Sequence, residues 1–196
     1  MVIYSLSLSG ELQRATPLST GYDLKSISED KHIKEHEIIV FDTGVFTACA
    51  TVADIQARLR SGITKKGIFM LNGIGTIDAD YRGSWKYPLS TIDTYGSSVS
   101  NCRYSKICGG DRIGQMILPT GAELSQVDLQ DFKKFAQLKG AILSWLSDLE
   151  EGIYTQDLLT VHKFTDIIGT CWHDYVEQVI GISSERGTGG FGSSGT

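Results

Sequence analysis

The hydrophobic pattern of this chain changes period once, and that change constrains the fold more than any other feature. From residue 1 to about residue 119, apolar residues come in short runs rich in Ile, Val, Tyr, Phe and Thr, separated by Gly, Ser, Asp and Asn. Residues 2–8, 37–41, 67–71 and 112–118 are such runs. Closely spaced short strands with turn signals between them predict a β barrel or sandwich. No self-similar unit recurs along the chain, so a solenoid is not supported. Beyond residue 125 the pattern is different. Phe132, Phe135, Leu138, Ile142, Trp145, Leu146 and Leu149 recur at spacings of three and four, which is one stripe of an amphipathic helix. Ser125 with Asp128 reads as its N-terminal cap and Gly152 as its stop. A weaker helical pattern runs through Leu158, Val161, Phe164 and Ile168, and a strand is expected near residues 175–180. The chain therefore reads as a β protein interrupted by a helical hairpin.

Composition narrows the class. Of the 196 residues, 41% are hydrophobic and 21% charged, the balance of a folded soluble chain. The formal net charge is -5 and lysine and arginine form no run, which argues against a duplex-binding surface. A nucleotide would need only a local positive site. No apolar stretch approaches the roughly 20 residues of a membrane span, and residues 1–9 alternate like a strand without a basic leader. Cys49, Cys102, Cys108 and Cys171 form no CxxC pair and read as reduced thiols of an intracellular protein. Cys171 and His173 alone are a weak metal signal, and ordinary side chains are the better reading.

The chain ends in a glycine-dense run from Arg186 to Thr196. Such density costs too much backbone entropy for a stable helix or strand. Composition alone favours a disordered tail. The other reading is a segment that orders over a phosphate-bearing ligand through its backbone N–H groups, and Arg186 and Phe191 within the run point that way. Asp78 and Asp80 are also distinctive. In a strand both would share one face, and the plainer reading is a polar turn at a strand end.

Five segments, in order, carry a resemblance. They are Gly21-Tyr22-Asp23-Leu24; Arg60-Ser61-Gly62; Asn72 with the run from Gly75 to Gly83; Gly110 to Gln115; and Arg186 to Gly195. Each of the shorter ones is weak alone, but in this order they resemble the five motifs of the trimeric dUTPase family. The resemblance implies a mainly β fold, a distorted β-barrel or jelly roll, assembling as a homotrimer, with a helical insertion near the C-terminal end. It implies hydrolysis of dUTP to dUMP and pyrophosphate with Mg2+ as cofactor. Asp78 matches the catalytic position, which holds the sugar 3′-hydroxyl and orients the attacking water. A carboxylate suits that role because it accepts the water proton. Tyr81 matches the aromatic that stacks under deoxyribose and excludes a 2′-hydroxyl. Asn72, Gly75 and Ile77 fall in the hairpin that reads uracil, largely through main-chain groups.

Ser61, Gly62 and Gln115 match phosphate contacts, and Arg60 is either structural or phosphate-adjacent. Asp23 matches the acid that holds waters of the metal shell, because magnesium keeps its waters and binds mainly through the phosphates. Phe191 and Arg186 match the lid residues that stack on uracil and reach the γ-phosphate. Gly190, Gly192, Ser193 and Ser194 would complete the phosphate cradle. In family trimers this arm reaches over a site formed between other subunits.

Thr20, Leu59 and Gly114 depart from the family pattern, which puts packing rather than chemistry in question. The stretch between Gln115 and Arg186 is far longer than usual. We read residues 1–120 and 170–185 as the β domain, 121–169 as a helical hairpin inserted on its outer surface, and 186–196 as the lid arm. Midchain insertions of this kind resemble those of phage-encoded relatives, and the expected location is cytoplasmic, the host cytoplasm for a viral protein. The insertion's apolar residues are either a surface for a protein partner or the inner stripe of a packed hairpin, and the stripe has the width of simple packing. Two other functions are weighed: a nucleotide-gated regulatory binding protein on the same fold, and a dCTP deaminase relative. Arg60-Ser61-Gly62 and the Asp78-to-Tyr81 pattern disfavour the deaminase, and the presence of all five motifs disfavours binding alone.

Overall fold

The computed structural model describes residues 1–92, 104–138 and 140–189. In chain order the strands are β1 (Val2–Ser7), β2 (Tyr22–Lys25), β3 (Lys31–Lys34), β4 (Ile39–Asp42), β5 (Val45–Cys49) and β6 (Ile55–Leu59). A single helical turn, α1 (Ser61–Thr64), precedes β7 (Ile68–Met70), β8 (Gly75–Ile77), β9 (Lys86–Thr91), β10 (Tyr104–Ile107), β11 (Arg112–Ile117) and β12 (Glu123–Gln126). Three longer helices follow, α2 (Leu129–Ala136), α3 (Ala141–Glu150) and α4 (Leu158–Tyr175), the last running into a π-helical turn over Val176–Ile180.

The strands form four small sheets, ordered β12-β1-β5, β10-β3, β2-β11-β6-β8 and β4-β9-β7. The chain is mainly β, as the short apolar runs predict, but among the described residues the ladders do not join into a closed barrel. The sheet β2-β11-β6-β8 matters most for function. β11 is its axis, pairing antiparallel with β2 through Gln115↔Asp23 and with β6 through Gly114↔Leu59. β6 in turn pairs with β8 through Ile55↔Ile77 and Ala57↔Gly75.

Strand β5 explains why the helices are present. Its five residues are all buried, and alternate side chains enter different cores. Val45 and Cys49 join the β core with Ile3, Phe41, Trp85 and Ile113. Phe46 and Ala48 join a second core with Leu6, Leu8 and Ile27, roofed by Phe132, Leu146, Ile168 and Trp172 of the helices. A strand covered on both faces loses its polar alternation. Stripping the helices would expose Leu6, Leu8, Ile27 and Phe46, each contributing about 1.5–3 kcal/mol by burial. That sum approaches the whole stability of an ordinary domain. The helical segment is therefore a structural layer of the protein and not a hairpin resting on a finished surface.

Several expected boundaries need correction. The segment at residues 123–126 is β12, which extends β1 in parallel, so Ser125 is not a cap. The cap is Asp128, whose carboxylate accepts from the N–H groups of Gln130 (2.8 Å) and Asp131 (3.1 Å). The stripe from Phe132 to Leu149 is split between α2 and α3, because Gln137 turns left-handed at φ 47° and ends α2. Residues 175–180 are not a strand. The three-to-four spacing of Val161, Phe164, Ile168, Trp172 and Val176 carries α4 into the π turn, keeping one face in the second core, and Gly181 ends it at φ 83°. Among the described residues no helix is long and apolar enough to cross a membrane.

Candidate active site

The expected residues collect in two places on the β2-β11-β6-β8 sheet. The first is built around Asp23 on β2, whose side chain is only 8% exposed. Its Oδ1 accepts from Gln115 Nε2 (3.1 Å), while Oδ2 lies 3.2 Å from Nη1 of both Arg60 and Arg112. Register puts them there: Gln115 is opposite Asp23, and Arg60 follows the β6 strand that flanks β11 on its other side. Arg60 stands just before α1 and its guanidinium, which has no acceptor with which to cap the helix, pairs with Asp23; the first turn at Ser61 and Gly62 has no side-chain cap. Both are exposed, leaving backbone N–H groups and a hydroxyl facing outward. Two guanidinium groups against one carboxylate leave this corner with a net positive charge, suited to a polyphosphate.

The second place is a cleft of about 230 Å³ at the other end of the sheet. Its lining includes Asn72, Gly75, Ile77, Asp78, Tyr81 and Arg186. β8 delivers Ile77 and then stops in a turn, with Tyr81 N–H donating to Asp78 O (3.1 Å). The polar-turn reading of this segment is therefore the right one. Asp78 and Tyr81 share the cleft, while Asp80 lines an adjoining groove with Ala50 and Ser183, of which Asp78 also forms part of the wall. Tyr81 Oη donates to Ser84 O (3.0 Å), which fixes the ring. Burial first, then the negative charges of Asp42 and Asp166, push its phenol up to about 12, so it offers the cleft an uncharged ring. Arg186 forms an ion pair with Asp78 and lies over Tyr81, its guanidinium carbon 5.5 Å from the ring centroid. Of the expected lid, Gly190, Phe191, Gly192, Ser193 and Ser194 lie outside the described residues.

Several residues that support the site went unassigned in the sequence. Arg112 sits inside the fourth motif, and its pairing with Asp23 follows only from the register of β2 on β11. Lys86 lines the cleft, with its Nζ held 3.2 Å from Asp166 on α4. Asp42, fully buried, accepts from Gly44 N–H (2.9 Å), Ser84 Oγ and Thr165 Oγ1 (2.7 Å), and faces His162 Nδ1 at 3.4 Å. Ser84 thus joins Asp42 to the carbonyl that receives Tyr81, and α4 to the wall of the cleft. The contacts of Asp42 with Thr165 and His162 span more than a hundred residues and leave no local signal.

Gly114, where the family has alanine, also has a structural reason. A Cβ at that position would collide with the ring and hydroxyl of Tyr87, whose Oη instead approaches the Gln115 and Arg58 carbonyls. The glycine and the tyrosine are one packing solution.

A cationic corner and an aromatic-floored cleft, both on one sheet of a mainly β chain, are the two features of the candidate site. The family model for dUTPase matches residues 10–142, and the chain belongs to the dUTPase family. It is 38% identical over 117 residues to the deoxyuridine 5′-triphosphate nucleotidohydrolase of Finegoldia magna, covering 58% of this chain and 76% of that protein. The protein of the same name from Fusobacterium nucleatum is 36% identical over 115 residues, covering 58% and 73%. Among solved structures, a point mutant of the Staphylococcus bacteriophage 80alpha dUTPase shares the fold with TM-score 0.51 at 20% identity, over 64% of this chain and 96% of that one. The family match ends at residue 142, so α4 and Arg186 lie beyond it.

Proposed function

We propose that this protein hydrolyses dUTP to dUMP and pyrophosphate in a homotrimer, at sites shared between subunits. Family membership and the names of its relatives support the substrate. What supports the shared site, beside family membership, is that the two clusters belong to opposite edges of one sheet, Asp23 on β2 and the cleft at β8, with β11 and β6 between them. Three strand spacings of about 4.8 Å separate the two edges, so a nucleotide seated in the cleft leaves the Asp23 corner of its own chain at the far edge. A cyclic trimer would set the Asp23 corner of one subunit against the Asp78 cleft of the next.

Uracil and deoxyribose would occupy the cleft. Asn72 and the β8 backbone from Gly75 to Ile77 read the base, and Tyr81 lies under the sugar, where a 2′-hydroxyl would have no room. Ser61, Gly62, Arg60 and Gln115 of the neighbouring subunit hold the phosphates. Asp78 orients a water in line with the α-phosphorus. The water oxygen forms the new P–O bond, the bond from the α-phosphorus to the bridging oxygen breaks, and pyrophosphate leaves with that electron pair. Asp78 takes the water proton. Arg186 gives up Asp78 for the more highly charged triphosphate as the nucleotide enters, which frees the carboxylate for its role.

Magnesium fits as a passenger on the phosphates. The Asp23 corner is already net positive and offers no carboxylate cage, whereas a triphosphate brings enough negative charge for the ion and the arginines together. When bound there, the ion would neutralise and polarise the triphosphate. Asp23 is then an acceptor for its waters, in competition with Arg60 and Arg112. We place the activity in the cytoplasm, the host's for a viral protein, where free nucleotides are found.

Steady-state comparison of wild type with Asp78→Asn tests this reading. The expected result is a fall in kcat of roughly 10²–10⁴-fold with little change in KM. A variant that keeps wild-type kcat removes Asp78 from the chemistry.

A further inference from the structure

We propose that Asp42 and Thr165 are positioning residues for sugar selection: acting through Ser84, they hold the Tyr81 ring where a 2′-hydroxyl would clash with it. The proposal rests on deoxyribose lying over that ring in the cleft. Residues 83 and 84 set the place of Tyr81. Its Oη donates to Ser84 O (3.0 Å), and its ring lies so close on the backbone that a Cβ on Gly83 would collide with it. The peptide between Ser84 and Trp85 is tied at one end, where Trp85 N–H donates to Val45 O (2.8 Å). The tie at the other end is the Ser84 hydroxyl, which donates to Asp42 Oδ1.

Asp42 is a connector with two sides. Oδ1 serves the sheet, accepting from Ser84 and from Gly44 N–H (2.9 Å). Oδ2 serves α4, accepting from Thr165 Oγ1 (2.7 Å) and facing His162 Nδ1 at 3.4 Å. Rotation of an aspartate carboxylate about its own bond is soft, so the bonds to Oδ2 fix where Oδ1 points. Asp42, Ser84 and Thr165 are all buried, where charge-assisted hydrogen bonds are directional and little screened. α4 also meets the cleft wall where Asp166 holds Lys86 at 3.2 Å, but the Asp166 side chain is 69% exposed, and a pair so open to water contributes little. The buried cluster is therefore the connection that carries position. Thr165 and His162 lie beyond residue 142, where the family match ends, so the helical layer adds this control to the cleft. Exclusion by contact is steep in distance. Atoms at about 3.5–4.0 Å become repulsive within a fraction of an ångström, and a small retreat of the ring relieves the clash.

Steady-state kinetics on dUTP and UTP, at a temperature where every variant is folded, test the proposal. Thr165→Val breaks the cluster on the α4 side and Ser84→Ala on the sheet side. Each is expected to narrow the dUTP-to-UTP ratio of kcat/KM by roughly threefold to tenfold, while kcat on dUTP stays within about threefold of wild type. Thr165→Ser keeps the hydroxyl and should restore the ratio. Leu146→Ala is the control. It loosens the helical layer through the second core, has no hydrogen bond to lose, and should leave the ratio at the wild-type value. Narrowing by Tyr81→Ala with no change in Thr165→Val or Ser84→Ala overturns the positioning role and leaves the sugar's place over Tyr81 standing. A ratio unmoved by Tyr81→Ala overturns that placement and the proposal with it. Equal narrowing by Leu146→Ala and Thr165→Val makes the effect a general loosening, which overturns the assignment to the Asp42 cluster.

Discussion

Replacing Thr165 with valine tests how strongly α4 is joined to the sheet. Thr165 and Asp42 are both fully buried, and the hydroxyl donates to Asp42 Oδ2 over 2.7 Å. Valine keeps the shape and removes the donor, so the β-branched packing on α4 is unchanged. The bond lost is charge-assisted, worth about 1.5–3 kcal/mol. Asp42 Oδ2 would be left with His162 Nδ1 at 3.4 Å and Lys86 Nζ at 4.0 Å, both longer and weaker contacts. Compensation should therefore be small, and the net loss about 1.5–3 kcal/mol. For a chain of this size that lowers Tm by roughly 3–10 °C. Urea unfolding at one fixed protomer concentration is the assay, because oligomerisation adds to apparent stability. The midpoint should fall with the slope unchanged, and Thr165→Ser should recover most of the loss. A midpoint within about 0.5 kcal/mol of wild type would refute the claim that this bond joins the helical layer to the sheet.

Other consequences can be checked separately. Gly114→Ala should destabilise by about 1–3 kcal/mol through collision with Tyr87, and Tyr87→Leu in the same chain should relieve it; thermal melts of the single and double variants measure this. Because the Tyr81 phenol is raised in the folded state, the unfolded chain ionises first as pH rises. Its contribution to stability is then intact below about pH 10 and lost between about 10 and 12. Wild type should accordingly lose about 1–2 kcal/mol relative to Tyr81→Phe across that window, an amount discounted for the partial exposure of the ring, and parallel pH–stability curves would remove the effect. Tyr81→Ala should narrow the preference for dUTP over UTP by at least tenfold in kcat/KM, read from competition between the two nucleotides.

The residues of the site were more legible than their arrangement. Asp78, Tyr81, Asn72 and the flanking glycine lie within a dozen positions, and a short hairpin brings such neighbours together whatever the rest of the fold does. Asp23, Arg60 and Gln115 carry motif signals, but their meeting depends on the register of three strands, which no local pattern encodes. The helical layer was half legible. The spacing from Phe132 to Leu149 announced helix but not the break at Gln137, because the apolar stripe continues in phase across it. The strand expected at residues 175–180 failed for a related reason. Tyr175, Val176, Val179 and Ile180 favour β structure locally, yet Val176 continues the α4 stripe and burial in the second core decides the conformation. Strand β5 held the clearest unread clue. Five buried residues without polar alternation require cover on both faces, and the helices provide it.

Pyrophosphate release by the wild-type protein with magnesium, measured in parallel on dUTP, dCTP, dTTP and UTP, tests the central claim most directly. The account predicts turnover of dUTP at least a hundredfold above each of the other three, abolished by chelating the metal. A well-folded trimer that turns over none of the four, or that releases pyrophosphate equally from UTP, would contradict it.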